Sequence, residues 1–413
     1  MEWDITHQIL ASAWALAFVL GVIVRKTGFC TLGAVSDWIN MGHMGRLAAW
    51  FLAMAVAITG VLILEMTGMV DMSSTLPPYR SSTFMWPRYI LGGLMFGVGM
   101  TLASGCGNMT SIRMGGGNIK SLVVFTVMGG CAYLMTKTNF YGYVFHSWME
   151  PISINLAAYG IESQEISVLV ASLLGMEPSA ALRWILGGAA ALAIFTFVFR
   201  SPHFRERFDF LLGGGTVGVL VVVAWYITGS SIGAEWKEFA EFMDQPPIGV
   251  ATQSLTFINP TGEWGYWYTQ QIQLEPEFAI LPIQWHLISF GMMVISGVVF
   301  GSFFYSVFTR KFHFEWFRSW GDFFNHALGG ALMGIGGVLA MGCSIGQGVT
   351  GVSTMALGSF IALGGIILGS ALTMKVAYYK MVYEEEANFG SALLSSLVDL
   401  RLLPKGLRKL EAV

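Results

Sequence analysis

The sequence predicts an all-α polytopic membrane protein with about nine transmembrane helices, short re-entrant half-helices and two inverted-topology repeats. Three observations predict it. Hydrophobic residues fill 54% of the 413 positions and charged residues only 11%, against roughly 25% charged in soluble domains. Mean hydropathy is +0.63, and apolar runs near the ~20 residues needed to cross a bilayer recur along the chain. One glycine-rich run occurs twice, and both copies end on Gly-Cys.

Spans are expected at 8–24, 46–65, 88–104, 119–136, 181–199, 209–228, 283–304, 324–341 and 358–378. The first run, Ile9 to Val24, lacks a basic start and a small-residue cleavage site, so it reads as a retained span. Asn139 to Pro178 is expected to be mostly external, and its apolar piece Ile166 to Met176 is too short to cross alone. The acidic, aromatic stretch Ser230 to Leu281 is too polar to span and is expected to form an external loop. The tail "LLSSLVDLRLLPKGLRKL" reads as an amphipathic helix lying on the membrane surface. The chain is thus one transport domain over 1–413. Its first repeat covers about 1–180, its second about 200–380, and a cytoplasmic tail covers 381–413.

Charge orients the bundle. With the N-terminus outside, the cytoplasmic segments carry Arg25, Lys26, Arg46, Arg113, Lys120, Arg200, Arg205, Arg207, Arg310, Lys311, Arg318 and the basic tail. That bias satisfies the positive-inside rule and leaves the C-terminus in the cytoplasm. A net charge of -3 offers no basic field for nucleic acid. The four cysteines, Cys30, Cys106, Cys131 and Cys343, have neither metal-ligand spacing nor the context of a secreted disulfide framework. No metal or cofactor is expected.

The repeated run reads "LGGLMFGVGMTLASGC" from Leu91 to Cys106 and "LGGALMGIGGVLAMGC" from Leu328 to Cys343. Leu91, Gly92, Gly93, Gly97, Gly99, Leu102, Ala103, Gly105 and Cys106 recur without a gap. The copies fall in spans three and eight, so they run in opposite directions, as inverted repeats do. A weaker match pairs "TGFCTLG" (Thr27 to Gly33) with "TGSSIG" (Thr228 to Gly233), setting Cys30 against Ser231.

After each Gly-Cys comes a short polar segment. One holds Asn108, Thr110 and Ser111; the other holds Ser344, Gln347 and Thr350. Non-helical backbone survives at membrane depth only where protein or water covers it. The expected form is a helix, a bend and a half-helix whose free N–H groups favour an anion. Cysteine there adds a polarisable sulfur and a weak S–H donor. The candidate path is therefore Cys30, Cys106 and Cys343, supported by Gly105, Gly107, Asn108, Gly342, Ser344, Gln347 and Ser231. Cys131 sits inside an ordinary span and reads as packing. Glu65 and His286 read as interfacial. Arg113 reads as a cytoplasmic anchor or an attractor of anions.

Around these residues the sequence resembles the YeeE/YedE family of bacterial inner-membrane proteins, also called sulfur-transport domain proteins. The resemblance rests on "GFCTLGAVSDW" (Gly28 to Trp38), "SGCGNMTSI" (Ser104 to Ile112) and "MGCSIGQGVTG" (Met341 to Gly351). It implies a multi-pass inner-membrane transporter of thiosulfate or a related sulfur anion, with two inverted halves, no cofactor and no enzymatic step. It also implies that Cys30, Cys106 and Cys343 relay the ion by S–H···S hydrogen bonds, and that a TusA-like sulfur carrier works on the cytoplasmic side. Selenium compounds are the alternative cargo within the family. A membrane thiol or persulfide carrier enzyme, and a scaffold acting through the basic tail, are the readings from other classes.

Overall fold

The computed structural model describes residues 4–274, 285–384 and 388–411. Asp4 opens α1 (Ile5–Thr27) by accepting the His7 N–H at 3.0 Å, and Gly28 closes it in the left-handed region at φ 67°. The short α2 (Thr31–Met41) follows, and Gly42 stops it the same way. The next pieces are α3 (Gly45–Met66), α4 (Trp86–Leu102), the short α5 (Gly107–Gly115) and α6 (Ile119–Lys137). Asn118 caps α6 by accepting the Ser121 N–H at 2.8 Å. A compact connector carries α7 (Ile166–Leu173) into α8 (Ala180–Arg200).

The chain continues with α9 (Phe208–Gly229), the short α10 (Ser231–Glu241), α11 (Asn259–Leu274), α12 (Phe290–Phe308) and α13 (Trp320–Leu339). A half-helix over 344–353 then leads into α14 (Leu357–Tyr383), and α15 (Phe389–Asp399) lies against α14. Two-residue strands tie the loops. β1 (Thr75–Leu76) pairs in parallel with β4 (Thr252–Gln253), and β2 (Thr83–Phe84) pairs antiparallel with β3 (Ile154–Asn155).

Among the described residues, eight segments are long and apolar enough to cross a membrane. The expected span 324–341 coincides with α13, a helix of spanning length diluted by glycine and a polar first turn. The seventh span was expected at 283–304. Its helix α12 starts later, at the Ser289 cap, and residues 283–284 lie outside the described chain.

The stretch 230–281 is not a simple external loop. It forms α10 and α11, and between them Leu255, Phe257 and Ile258 are completely buried. The polar composition that argued against a span is real, but these three apolar side chains find partners inside the bundle. Residues 275–281 lie outside the described chain. The tail is α-helical to Asp399, which accepts the Tyr379 hydroxyl at 2.8 Å and pairs with Arg408, and a single 3-10 turn follows at Lys405–Leu407.

The packing has a pattern. Helix α1 lies on α12, and α9 lies on α3; α4 packs against α13 and α14, and α13 against α4 and α6. Exchange α1 with α9, α3 with α12, α4 with α13 and α6 with α14, and these contacts map onto one another. The centre of the pattern is the α4–α13 crossing. A Cβ on Gly92 would stand 2.7 Å from the Gly336 carbonyl, and one on Gly99 would stand 2.6 Å from the Gly329 carbonyl. Lipid supplies no hydrophobic drive between helices, so such backbone-to-backbone approach through small residues is what holds them.

Candidate functional site

Helices α4 and α13 end in the same way. The Gly105 N–H reaches back to the Met100 carbonyl at 3.0 Å, and the Gly342 N–H to the Gly337 carbonyl at 2.8 Å. Ser104 (φ 58°) and Met341 (φ 59°) make the left-handed turns. These are Schellman terminations. They turn the chain sharply and leave the next residue, Cys106 or Cys343, in front of a new helix start.

All three candidate cysteines stand at the N-terminus of a short helix. Cys30 caps α2, and its sulfur accepts the Gly33 N–H at 3.5 Å. Cys106 caps α5 in extended conformation and makes no side-chain capping bond. Cys343 precedes the half-helix over 344–353, and its sulfur accepts the Gly346 N–H at 3.3 Å. Part of this half-helix, Gly346–Gly351, is π-helical, a form frequent at functional sites.

Cys106 and Cys343 are buried, and Cys30 is half-buried. Ser104, two residues before Cys106, lines the same cavity as Cys30, and Thr256–Ile258 touches both Gly107, next to Cys106, and Gly346, whose N–H the Cys343 sulfur accepts. A cavity of about 470 Å³ opens onto Cys30 and is lined by Gly33, Arg46, Thr101, Ser104 and Arg113 among others. The Arg113 guanidinium donates to the Ser104 carbonyl at 2.5 Å and lines the same cavity as Cys30. It therefore both clamps the bend and faces the cavity.

Several site residues carry buried polar atoms without a hydrogen-bond partner among the described residues: Asn108 Oδ1, Ser344 Oγ and Gln347 Oε1. Gln347 uses its amide N–H to hold the Ala340 carbonyl. Gly107 lies in the first turn of α5, where Phe257 and Ile258 press against its face. Gly105 and Gly342 serve the terminations. Ser231 does not occupy the place of Cys30. It is exposed, and the capping position of α10 belongs to buried Ser230. The gapless match slipped by one residue, because cap geometry rather than letter identity sets the correspondence. Cys131 packs its Cβ against Gly334 of α13.

Sequence reasoning missed two features. One is the segment Thr256–Ile258, which reaches both half-helices. The other is a buried ion network at the far end of the Cys343 half-helix. Arg80 holds Glu65 at 2.5 and 3.0 Å and the Thr354 carbonyl at 2.9 Å, while Arg183 holds Glu165 at 2.6 Å and Glu65 at 3.2 Å. Glu65 is thus a structural partner rather than an interfacial residue. Tyr79 donates to the Gly346 carbonyl at 2.7 Å from the same strap. Among the described residues, no group of three His, Cys, Asp or Glu side chains could hold a metal ion.

Interrupted helices that bring buried polar groups into the middle of a multi-span bundle define a membrane transport protein. The chain belongs to the Sulphur transport family, whose model matches residues 26–372. It is similar to the thiosulfate transporter TsuA of Spirochaeta thermophila, at 24% identity over 86% of this chain and 95% of that one. It is also similar to TsuA of Escherichia coli, at 25% identity over 88% of this chain and 93% of that one.

Proposed function

We propose that the chain carries thiosulfate, or a closely related sulfur-containing anion, across the bilayer past Cys343, Cys106 and Cys30 in turn. The observation that carries this reading is the position of Cys106. It is a buried thiol at a helix N-terminus, two residues from the Cys30 cavity on one side and joined through Thr256–Ile258 to the Cys343 half-helix on the other. The family membership and the names of the two relatives support the cargo.

The two halves act as inverted repeats around the α4–α13 crossing. The N-terminus lies outside a bacterial inner membrane and the C-terminus in the cytoplasm. The basic residues around the Cys30 cavity support that orientation. There a TusA-like sulfur carrier would receive the ion.

The chemistry is recognition, not reaction. The free N–H groups at each half-helix start offset the charge of the anion. A neutral thiol donates weakly to the terminal sulfur, which suits passage because binding must also release. No bond is made or broken. The test is uptake of labelled thiosulfate into proteoliposomes. Replacing both Cys106 and Cys343 by alanine should abolish uptake while leaving the thermal melting of the purified protein within a few degrees. Uptake at the wild-type rate in that variant would defeat the thiol path.

A further inference from the structure

We propose that Thr256 is a specificity-determining residue: its hydroxyl holds an oxygen of the anion while the terminal sulfur lies against Cys343. The proposal rests on the thiosulfate reading and deepens it.

The segment Thr256–Ile258 is wedged between the first turns of two half-helices. A Cβ on Gly346 would stand 2.8 Å from Thr256 Oγ1, and one on Gly107 would stand 3.1 Å from Ile258 Cδ1 and 3.3 Å from Phe257 Cβ. Glycine at both places permits this approach. The Gly346 N–H donates to the Cys343 sulfur at 3.3 Å. The Thr256 hydroxyl therefore stands beside the residue whose amide holds that sulfur.

Its neighbours show what a hydroxyl in this segment ordinarily does. Ser254 donates to the Val221 carbonyl at 2.8 Å, Thr350 to the Leu255 carbonyl at 2.8 Å and Thr261 to the Ile258 carbonyl at 2.6 Å. Thr256 is only 7% exposed, yet its Oγ1 has no partner among the described residues. A buried polar group left unpaired is unfavourable, and a native chain retains few of them. Ser344 Oγ and Asn108 Oδ1 share this condition on the two half-helices that the segment touches.

The cargo has two chemically different ends. A thiol suits the polarisable sulfur; a hydroxyl suits a hard, charged oxygen, as donor in a charge-assisted hydrogen bond. Cysteine alone would not separate thiosulfate from other anions with an exposed sulfur. The hydroxyl supplies that second requirement.

The experiment measures labelled thiosulfate uptake into proteoliposomes, with thiocyanate, whose sulfur comes without oxygens, as competitor. Thr256→Val keeps the shape and removes the hydroxyl. It should raise KM for thiosulfate about tenfold or more, leave inhibition by thiocyanate unchanged, and melt at or above the wild-type temperature, since it removes an unpaired polar group. Thr256→Ser should stay within threefold of wild type. If Thr256→Val fails to fold, Thr256→Ala is measured with the same two anions. A KM within twofold of wild type, or an equal weakening of both anions, overturns the proposal while the thiosulfate reading stands. If the wild-type protein takes up no thiosulfate, both fall together.

Discussion

Replacing Arg80 by methionine should destabilise the fold by ~3 kcal/mol. The Arg80 side chain is 7% exposed, and its carboxylate partners Glu65 and Glu165 are 10% and 1% exposed. Removing one member of a buried ion pair costs about 3–5 kcal/mol, because the partner charge stays buried and uncompensated. Arg183 still bridges both carboxylates and is 31% exposed, which holds the loss to the lower end of that range. The arithmetic of charge gives a second expectation. Without Arg80 the network carries two carboxylates and one guanidinium; replacing Glu65 by methionine as well restores neutrality. The double variant should therefore recover more than half of the loss. Reversible unfolding in mixed micelles, followed by tryptophan fluorescence, measures both values. A loss below 1 kcal/mol for Arg80→Met, or a double variant no more stable than the single one, would refute the claim that the network acts as a buried, charge-balanced unit.

The α4–α13 crossing makes a symmetric prediction. Gly99→Ala and Gly336→Ala each drive a Cβ into backbone of the facing helix, at 2.6 Å from the Gly329 carbonyl and 2.7 Å from the Phe96 nitrogen. Each should cost about 1–3 kcal/mol by overpacking, and the two losses should match within about 0.5 kcal/mol; a large inequality in the same unfolding assay would break the proposed pseudo-two-fold. Cys131→Ala should leave thiosulfate uptake within twofold of wild type, which separates a packing thiol from those on the path; a null phenotype in the proteoliposome assay would place Cys131 on it.

The spans were legible because length and composition alone set them, and the Gly-Cys interruptions were legible because they break an apolar run where no loop belongs. The matching ends of Leu91–Cys106 and Leu328–Cys343 could also be read from the letters, and both helices close on the same turn. What could not be read depends on tertiary approach. Thr256, Phe257 and Ile258 carry no period and no motif; only the absence of side chains at Gly107 and Gly346, two distant glycines, lets them in. The Glu65–Arg80–Glu165–Arg183 network joins the end of α3, a loop residue and the starts of α7 and α8, whose separation in sequence conveys nothing about contact. Ser230 was mistaken for its neighbour because the choice of capping residue is made by backbone geometry, as its extended conformation at φ -81° and ψ -170° shows.

Peptide groups do not titrate. On the proposed path, the attraction for a negative guest around Cys106 and Cys343 would come from the amides at the starts of interrupted helices, each start equivalent to roughly half a unit charge. It is therefore as constant as the fold itself. Acidifying or alkalising the medium cannot switch it off.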